Sequence, residues 1–510
     1  MPAAAGTDTT TVAPYISMKE KDMHRRHFLK VAGLTCLGGL SAPVFSAARF
    51  RPNIIFILLD DLGYFNFTCY GGKSVKGEPF HTPHVDALAR EGMQLTNCHS
   101  RAMCAPTRRV LMTGKGLYDI NCCNTPPAST HWISQYMKKA GYRTGIAGKW
   151  MLGRLNPRQR GFDEACIWAG HYDYWKPKIM LFNSGGYLKG MNQPEGIDIA
   201  HTCFKVPVGG RAGQATVMQG RYGPDLINDF ACDFVARHSR QPFFLYCPMK
   251  LIHAPYEEMP GTGKAGSGSR YIEYADKLIQ KVVTAVDKAG IRDNTLIMLT
   301  SDNGFSWQHQ VEVRDGVQKF PGSKGSALEG STRVPFIARW PGRIEAGTTY
   351  EGLVDFADML PTLVQLVGGK LPEKERWAGR SFLPQLLGDK GRPREWIYIH
   401  GGGHPNPLEK EMGQFYVRGD MMRYVRGRRY KLYGDGRFYD MTNDIWEQNN
   451  IPLGSGSLEA EERRRLMQSV LNRFAQDVQK NEPTHAPRVD VPPIDLSTLP
   501  SPINTGCKLP

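Results

Sequence analysis

The stretch Asn53-Ile54-Ile55-Phe56-Ile57-Leu58-Leu59, followed by Asp60-Asp61, decides the fold of this chain. A continuous apolar run of this length predicts a β-strand that is buried on both faces, as strands are in a parallel sheet. Two adjacent carboxylates at its carboxyl end are costly to bury together, because like charges repel and each loses its hydration. A bound hard cation would relieve both costs.

Similar apolar runs recur at 243–247, 295–300 and 335–340, and helical patterns lie at 130–141 and 271–290. This alternation predicts an α/β fold with a large mixed, mainly parallel sheet flanked by helices. Ligands bind at the carboxyl edge of such sheets, so the polar residues that follow each run are the first candidates for a site.

Towards the C-terminus the pattern changes to short strands at 396–400, 415–418 and 422–433, followed by a charged helix at 457–480. These segments predict a smaller C-terminal antiparallel sheet plus helix, and the proline-rich stretch at 482–510 predicts an extended tail. The expected divisions of the chain are a signal and leader at 1–48, a large domain at 49–391, a small α/β subdomain at 392–481 and the tail at 482–510.

The N-terminus predicts a twin-arginine export signal. Residues 24–30, His-Arg-Arg-His-Phe-Leu-Lys, precede a mildly apolar, glycine-containing stretch at 31–45, and small residues follow at 46–48. We therefore expect export from a bacterial cytoplasm, to the periplasm or the medium; the alternative is a basic patch before a small core helix. No run approaches the roughly 18 apolar residues of a membrane span, so no integral membrane segment is expected.

The formal charge of +15 favours anionic partners, which include nucleic acid, acidic membranes and sulfated polymers. Charge alone does not choose among them. The arginine-rich stretch at 423–430 contains aromatic residues, but its spacing is typical of an exposed hairpin, and no nucleic-acid partner is expected.

Asp302-Asn303-Gly304 follows the run at 295–300 as Asp60-Asp61 follows the first strand. Four oxygen donors on neighbouring strand ends suit Ca²⁺ or Mg²⁺, and nothing soft is present to favour zinc. Each motif taken alone is more often a loop cap or a turn.

Cys104-Ala105-Pro106-Thr107-Arg108, followed by Leu111-Met112-Thr113-Gly114-Lys115, resembles the signature of the type I sulfatases of the alkaline-phosphatase-like superfamily. In that family the cysteine is oxidised to formylglycine, which is 3-oxoalanine. Arg108 lies one helical turn after residue 104 and can orient an anionic group beside it. Without the resemblance, an ordinary buried cysteine near a helix start would be the alternative.

The resemblance extends from residue 51 to about 450 and implies both a metal site and a catalytic set. Lys149 stands in the family's Gly-Lys-Trp motif, His253 in His-Ala-Pro, and Lys324 ahead of Glu329-Gly330. Each of these side chains alone would more often be structural or solvated. The implied calcium ligands are Asp60, Asp61, Cys104, Asp302 and Asn303, and the implied catalytic residues are Cys104, Arg108, Lys149, His253, Asp302 and Lys324.

One position departs from the family pattern, which usually reads Gly-Lys-Trp-His where this chain has Gly148-Lys149-Trp150-Met151. The family's histidine contacts the formylglycine and helps to release sulfate from it. Methionine exchanges no proton, so another group covers this step, turnover is slower, or the chain belongs to a divergent branch.

The family mechanism implies that the hydrated aldehyde at residue 104 attacks sulfur while Asp302 acts as the base. Lys149, Lys324, Arg108 and the metal neutralise the sulfate oxygens, and His253 or Lys324 protonates the leaving oxygen. The second hydroxyl then expels the sulfate, which a serine in place of Cys104 would not allow.

The resulting prediction is an exported hydrolase of sulfate esters, acting on a sulfated carbohydrate or aryl sulfate and needing a formylglycine-generating or sulfatase-maturing enzyme. The large domain at 49–391 is then its catalytic domain. Two alternatives stay open: a phosphatase or phosphonate hydrolase of the same superfamily, and a non-catalytic glycan-binding descendant. Residues 171–175 and 400–404 with Arg418 are candidates for substrate contact, with ordinary loop packing as the alternative.

Eleven cysteines are present, and a twin-arginine substrate folds in a reducing cytoplasm, so few disulfides are expected. If Cys36 leaves with the signal and Cys104 is modified, eleven minus two leaves nine, an odd number, so at least one thiol should be free.

Overall fold

The structure is a computed structural model, and the parts of it that are described begin at residue 51. The predicted signal and leader at 1–48 and the predicted tail at 482–510 lie outside the described residues, and the domain division at 391 stays a prediction. The described residues from 51 onward belong to one compact unit. They are 51–73, 79–116, 130–152, 157–168, 174, 178–182, 202–208, 211–217, 222–262, 266–306, 320–400 and 423–481.

Strands and helices alternate along most of the chain, as the sequence predicts. The strands are β1 (Asn53–Leu59), β2 (Met93–His99), β3 (Arg143–Lys149), β4 (Glu164–Trp168), β5 (Lys178–Phe182), β6 (Thr202–Val208), β7 (Arg211–Val217), β8 (Phe243–Pro248), β9 (Thr295–Ser301), β10 (Arg333–Arg339), β11 (Thr348–Tyr350), β12 (Val354–Asp355), β13 (Trp396–Ile399), β14 (Tyr424–Gly427), β15 (Tyr430–Tyr433) and β16 (Phe438–Asp440). The helices are α1 (Pro83–Arg90), α2 (Cys104–Thr113), α3 (Ile133–Lys139), α4 (Gly223–His238), α5 (Gly268–Lys288), α6 (Glu329–Thr332), α7 (Met359–Leu366), α8 (Leu383–Leu386) and α9 (Leu458–Asn481).

The large sheet has twelve strands in the order β11-β2-β10-β9-β1-β8-β3-β4-β5-β7-β6, with β12 paired to β2. Its five central strands, from β9 to β4, are parallel to one another. Antiparallel pairs begin on either side, where β10 pairs with β9 and β4 with β5. The prediction of a mixed, mainly parallel sheet flanked by helices is confirmed.

Strand β1 lies at the centre of this sheet and is buried along its whole length. Alternate side chains of a strand point to opposite faces, so one apolar run supplies two cores. Ile55, Ile57 and Leu59 pack into the core that includes side chains of α1, α4 and α5, and Ile54, Phe56 and Leu58 into the core that includes α2, α3 and α7.

The C-terminal region forms a second, antiparallel sheet in the order β13-β14-β15-β16, as predicted, with α9 packed against it. Val425 and Leu432 of the sheet share an apolar core with Met467 and Phe474 of the helix. The segment predicted as a strand at 415–418 lies outside the described residues. The hairpin predicted near 423–430 is present as β14 and β15, but it is not wholly exposed because Arg426 is buried.

The cysteine side chains that are described are free thiols, which agrees with the expectation of few disulfides. The free thiols are Cys69, Cys98, Cys104, Cys166, Cys232 and Cys247.

No helix among the described residues combines the length and the apolar character needed to cross a bilayer.

Candidate active site

Two strand ends bring the acidic residues together. The parallel register of β1 and β9 pairs Leu59 with Ser301, so the residues that follow leave the sheet side by side. The backbone N–H of Asp302 donates to the Leu59 carbonyl at 3.0 Å. Asp61 has a φ of 63°, a left-handed conformation that aspartate tolerates better than most residues. The sequence expectation that both pairs of residues meet at one edge of the sheet is confirmed.

Cys104 is the first residue of α2 and is buried against this acidic cluster. Its Sγ lies 3.1 Å from Asp60 Oδ1, 3.7 Å from Asp61 Oδ1 and 3.7 Å from Lys149 Nζ. Burial, and then the carboxylates of Asp302 and Asp60, raise the pKa of this thiol well above its usual range. The unmodified cysteine is therefore held as a thiol and is not an activated thiolate nucleophile.

Arg108 lies one turn further along α2, fully buried, as the spacing predicts. Its Nε and Nη2 donate to Asp302 Oδ2 at 3.0 and 2.7 Å, and Nη1 donates to the Lys149 carbonyl at 2.7 Å. These bonds tie α2 to the ends of β9 and β3. In this arrangement Arg108 orients Asp302 and adds positive charge to the site.

Two lysines face the acidic pair. The ammonium of Lys149, at the end of β3, pairs with Asp60, and that of Lys324 lies 2.6 Å from Asp61 Oδ1. Burial alone would raise the pKa of Asp60, but Lys149, and then His253, lower it well below its usual range. The charges of the innermost groups balance, with three carboxylates (Asp60, Asp61, Asp302) and three cations (Arg108, Lys149, Lys324). A divalent cation added to them would give this group a net charge of +2, which suits an anionic ligand.

His253 lies beyond β8 and completes the cluster. Its Nε2 is 3.8 Å from Asp61 Oδ2, and its Nδ1 is 2.5 Å from the Ala254 carbonyl. That carbonyl accepts a hydrogen bond only from an Nδ1–H, which leaves Nε2 of the neutral ring as an acceptor. Burial, ahead of the charges around it, lowers the pKa of His253. The neutral form is therefore favoured, with Nε2 directed towards the acidic pair.

The acidic cluster fits a calcium ion. One ligand atom from each of Asp60, Asp61, Cys104 and Asp302 can be chosen so that all lie within 4.8 Å of one another. Ligand atoms grouped this closely can all reach one hard cation, Ca²⁺ or Mg²⁺, placed between them. Asn303 Oδ1 is buried with no hydrogen-bond partner among the described residues, as expected for an oxygen that serves as a further ligand. A soft thiol is the one donor that does not suit calcium, and an oxygen at that position would.

Comparison with known proteins identifies the family. Residues 52–369, more than half of the chain, match the family model described as Sulfatase. The chain belongs to the sulfatase family. It is thus a member of the type I sulfatases in the alkaline-phosphatase-like superfamily and a sulfuric ester hydrolase. Residues 323–476 also match the model described as N-sulphoglucosamine sulphohydrolase, C-terminal.

Similar curated proteins and solved structures agree with this assignment. The N-acetylgalactosamine-6-sulfatase of Mus musculus is 30% identical over 399 residues, covering 72% of this chain and 72% of the relative. The N-acetylgalactosamine-6-O-sulfatase of Bacteroides thetaiotaomicron is 28% identical over 471 residues, covering 79% and 89%. A structure solved in complex with its substrate D-glucosamine-2-N,6-O-disulfate has a TM-score of 0.61 at 20% identity, covering 85% of this chain and 99% of that chain, which shows a shared fold.

Among the candidates for substrate contact, Tyr174 is a packing residue. Tyr174 is fully buried and stacks on Tyr222 with the ring centroids 5.6 Å apart, so it offers no platform for a sugar ring. Its hydroxyl donates to the His253 carbonyl at 2.6 Å, and its backbone N–H donates to Glu257 Oε2 at 2.9 Å. Loop packing is the correct alternative for Tyr174, which holds the His253 loop in place. The other residues of 171–175, and those of 401–404 and Arg418, lie outside the described residues.

Met151 follows the lysine motif, two residues beyond the end of β3. Its φ of 51° is a left-handed conformation that costs a residue with a side chain roughly 1–2 kcal/mol. A methionine holds such a conformation only when its surroundings fix the backbone there. Met151 therefore replaces the family's histidine at a position where the surroundings fix the backbone conformation.

Proposed function

We propose that this sulfatase hydrolyses a sulfate ester on a sulfated carbohydrate, with a formylglycine made from Cys104 and a bound calcium ion. The observation that carries the proposal is the buried cluster in which Cys104 Sγ lies 3.1 Å from Asp60 and 3.7 Å from Lys149. A protonated thiol in that position is a poor nucleophile, and an oxygen in its place would complete a set of hard ligands. The curated relatives named as N-acetylgalactosamine-6-sulfatases support a carbohydrate over an aryl sulfate.

Asp60, Asp61, Asp302 and Asn303 would hold the calcium ion together with an oxygen at residue 104. When bound, the ion supplies a Lewis acid beside the formylglycine hydrate, whose hydroxyl is the nucleophile towards sulfur. Arg108 keeps Asp302 in place through two hydrogen bonds to one carboxylate oxygen. The rigid, buried position of these groups means that little reorganisation is needed when charge develops.

The two lysines bind the sulfate group in this proposal. Their ammonium groups face the same acidic pair, and the side chain of Lys324 is 16% exposed and that of Lys149 9% exposed. Lys324 is therefore the more accessible of the two to an entering ester. A sulfate oxygen that replaces Asp61 or Asp60 as a partner keeps each ammonium paired, because charge-assisted hydrogen bonds to anions are the strong ones.

Proton transfers fall to Asp302 and to His253 or Lys324. Asp302 is the base that takes the proton from the nucleophile, since its carboxylate belongs to the cluster that includes residue 104. The ammonium of Lys324, or His253 after it has taken up a proton on Nε2, gives a proton to the leaving oxygen. Met151 supplies no proton for sulfate release, so we propose that this step depends on the other groups of the site.

Substitution of Cys104 tests the proposal. We expect Cys104→Ala to abolish sulfate release and Cys104→Ser to lose nearly all turnover, because a serine sulfate has no second hydroxyl to expel it. Cys98→Ala, at another buried free thiol, is the matched control and should retain activity. Intact-mass measurement of the protein from a host that can make formylglycine should show the loss of sulfur at residue 104. Full activity in Cys104→Ala would refute the proposal.

The substrate class is tested by assaying sulfate release from 6-sulfated galactosamine oligosaccharides, other sulfated glycans and aryl sulfates under identical conditions. We expect kcat/KM to be highest for a sulfated carbohydrate. An aryl phosphate is the control for the phosphatase alternative and should be hydrolysed much more slowly. Higher activity on the phosphate would contradict the assignment of the reaction.

Export and maturation complete the proposal. We propose that residues 1–48 direct twin-arginine export to the periplasm or the medium, that 49–391 form the catalytic domain and 392–481 a subdomain, and that a formylglycine-generating or sulfatase-maturing enzyme acts on the chain. Replacement of Arg25 and Arg26 by lysine should leave the protein in the cytoplasm, as cell fractionation would show. Unchanged export of that variant would exclude the twin-arginine route.

A further inference from the structure

The segment that carries Lys324 is held through its backbone to the residues that follow β9 and β2. The N–H of Lys324 donates to the Phe305 carbonyl at 2.8 Å, and that of Gly325 donates to the Ala102 carbonyl at 2.9 Å. Phe305 follows the Asp302-Asn303 pair, and Ala102 precedes Cys104 by two residues. These bonds fix one side of the Lys324 segment to the two loops that carry the acidic cluster.

The other side of the segment is held by the small C-terminal sheet. Lys431 of β15 donates from Nζ to the Ala327 carbonyl at 2.6 Å, and the single hydroxyl proton of Tyr433, on the same strand, is shared between that carbonyl at 3.1 Å and Glu447. Residues two apart on a strand share a face, so both donors reach the same acceptor. Ala327 is three residues after Lys324 and directly follows the turn closed by the hydrogen bond from the Ser326 N–H to the Ser323 carbonyl at 3.0 Å.

Glu447 fixes both donors. One carboxylate oxygen accepts from Lys431 Nζ at 2.7 Å and the other from the Tyr433 hydroxyl at 2.5 Å. The lysine is fully buried and the glutamate nearly so. Well-packed apolar residues usually stabilise a fold as well as a buried ion pair does, so stability alone does not account for this cluster. A role in placing the Ala327 carbonyl, and with it the turn, does account for it.

A second contact from the same sheet lies just beyond the turn. Arg426 of β14 donates to Glu329 through Nη2 at 3.0 Å and through Nε at 3.3 Å. Tyr424 of the same strand shares a hydrogen bond of 3.0 Å with Thr332. The chain from Ala327 to Thr332 is therefore anchored to the small sheet at three points.

We propose that the small C-terminal sheet positions the sulfate-binding lysine of the active site, and that Lys431 and Tyr433 are positioning residues that act on Lys324 through the Ala327 carbonyl. The inference rests on the proposed role of Lys324 in binding sulfate. Loosening the turn leaves the other groups of the site in place and misplaces one ammonium. Its effect should therefore fall mainly on the affinity for the sulfate group.

The experiment uses the full chain, with inorganic sulfate as a competitive inhibitor of aryl sulfate hydrolysis. Tyr433→Phe removes the hydroxyl whose one proton is shared between Ala327 and Glu447, and we expect the inhibition constant for sulfate to rise by about 5-fold, as for the loss of about 1 kcal/mol. The matched control is Tyr439→Phe, whose ring centroid lies 6.1 Å from that of Tyr433. It should leave the inhibition constant unchanged. A loss of thermal stability alone, without a change in sulfate affinity, is the result expected of a purely structural tyrosine.

A second substitution keeps the test decisive if Tyr433→Phe folds poorly. The double variant Lys431→Met, Glu447→Gln removes the buried pair without leaving a lone charge, and it should weaken sulfate binding more than Tyr433→Phe does. Lys324→Met tests the underlying role and should weaken sulfate binding most. If Lys324→Met has no effect, the proposed role of Lys324 fails. If Lys324→Met weakens binding but Tyr433→Phe and the double variant do not, the inference about the small sheet is overturned.

Discussion

Replacing Arg426 with leucine leaves the carboxylate of Glu329 buried without its main partner. The side chains of the two residues are 3% and 1% exposed and share two hydrogen bonds. Burial would raise the pKa of Glu329, but Arg426, and then His99 and Lys431, hold it well below its usual range. Breaking a buried pair costs about 3–5 kcal/mol, and because Lys431 remains nearby we expect a loss near the lower end, about 3 kcal/mol.

Thermal unfolding measures this loss. For the compact unit to which the described residues belong, the unfolding entropy is about 1 kcal/mol per degree, so Arg426→Leu should lower Tm by about 3 °C. The control is Arg428→Leu, which breaks the pair with Glu351 whose side chains are 69% and 66% exposed, and its loss should stay below about 1 kcal/mol. Adding Glu329→Gln to Arg426→Leu should restore much of the stability. Equal losses in the buried and exposed variants would refute the reasoning.

Chelation should lower Tm, and calcium added back at 100 times Kd should raise the free energy of unfolding by about 2.7 kcal/mol, whereas Asp61→Asn should respond weakly; a full response in that variant would remove Asp61 from the ion site. Burial, ahead of nearby charges, lowers the pKa of His99 to about 3, so the unfolded chain binds the extra proton between pH 6.5 and 3. Stability should therefore fall by about 1.4 kcal/mol per pH unit below 6.5, less steeply in His99→Gln; identical pH profiles would contradict this. Tyr174→Phe loses its bond to the His253 carbonyl and should lower kcat more than it raises KM, and an unchanged kcat would show that the bond does not serve catalysis.

Much of the fold follows from local sequence patterns. The apolar run at the centre of the sheet is β1, and the helix predicted at 271–290 is α5 with its end two residues earlier. The boundaries of β8, β9 and β10 lie within two residues of the predicted ones. Such segments can be predicted from the sequence. A helix with one buried face has apolar residues at a regular spacing, and a strand that is buried on both faces is a continuous apolar run.

Other features could not be read from local patterns. The strand β16 was not predicted, because Phe438–Asp440 is too short to show an alternation. The burial of Tyr174 depends on Tyr222 and Tyr271, which are distant in sequence. The contact of Lys431 with Ala327 joins residues 104 positions apart. Nothing near either residue in the sequence indicates it.

The acidic cluster was predictable because each pair of residues ends a strand, and parallel strands end at one edge. The thiol of Cys104 was placed beside this cluster by family resemblance, and the structure puts it there. The sequence did not predict which aspartate each lysine pairs with. Lys149 pairs with Asp60, and Lys324 pairs with Asp61. Those choices depend on side-chain positions that only the three-dimensional packing sets.

The burial of Cys104 limits when the residue can be converted to formylglycine under the proposed function. The side chain is 5% exposed, and it begins a helix whose backbone is no longer extended. An enzyme that converts the cysteine has to reach its sulfur and the residues around it, and the folded protein offers neither. Under the proposed function, we therefore expect Cys104 to be converted before the chain folds. If the chain is exported folded, as proposed, a copy that is not converted in the cytoplasm would keep its buried thiol and would remain inactive.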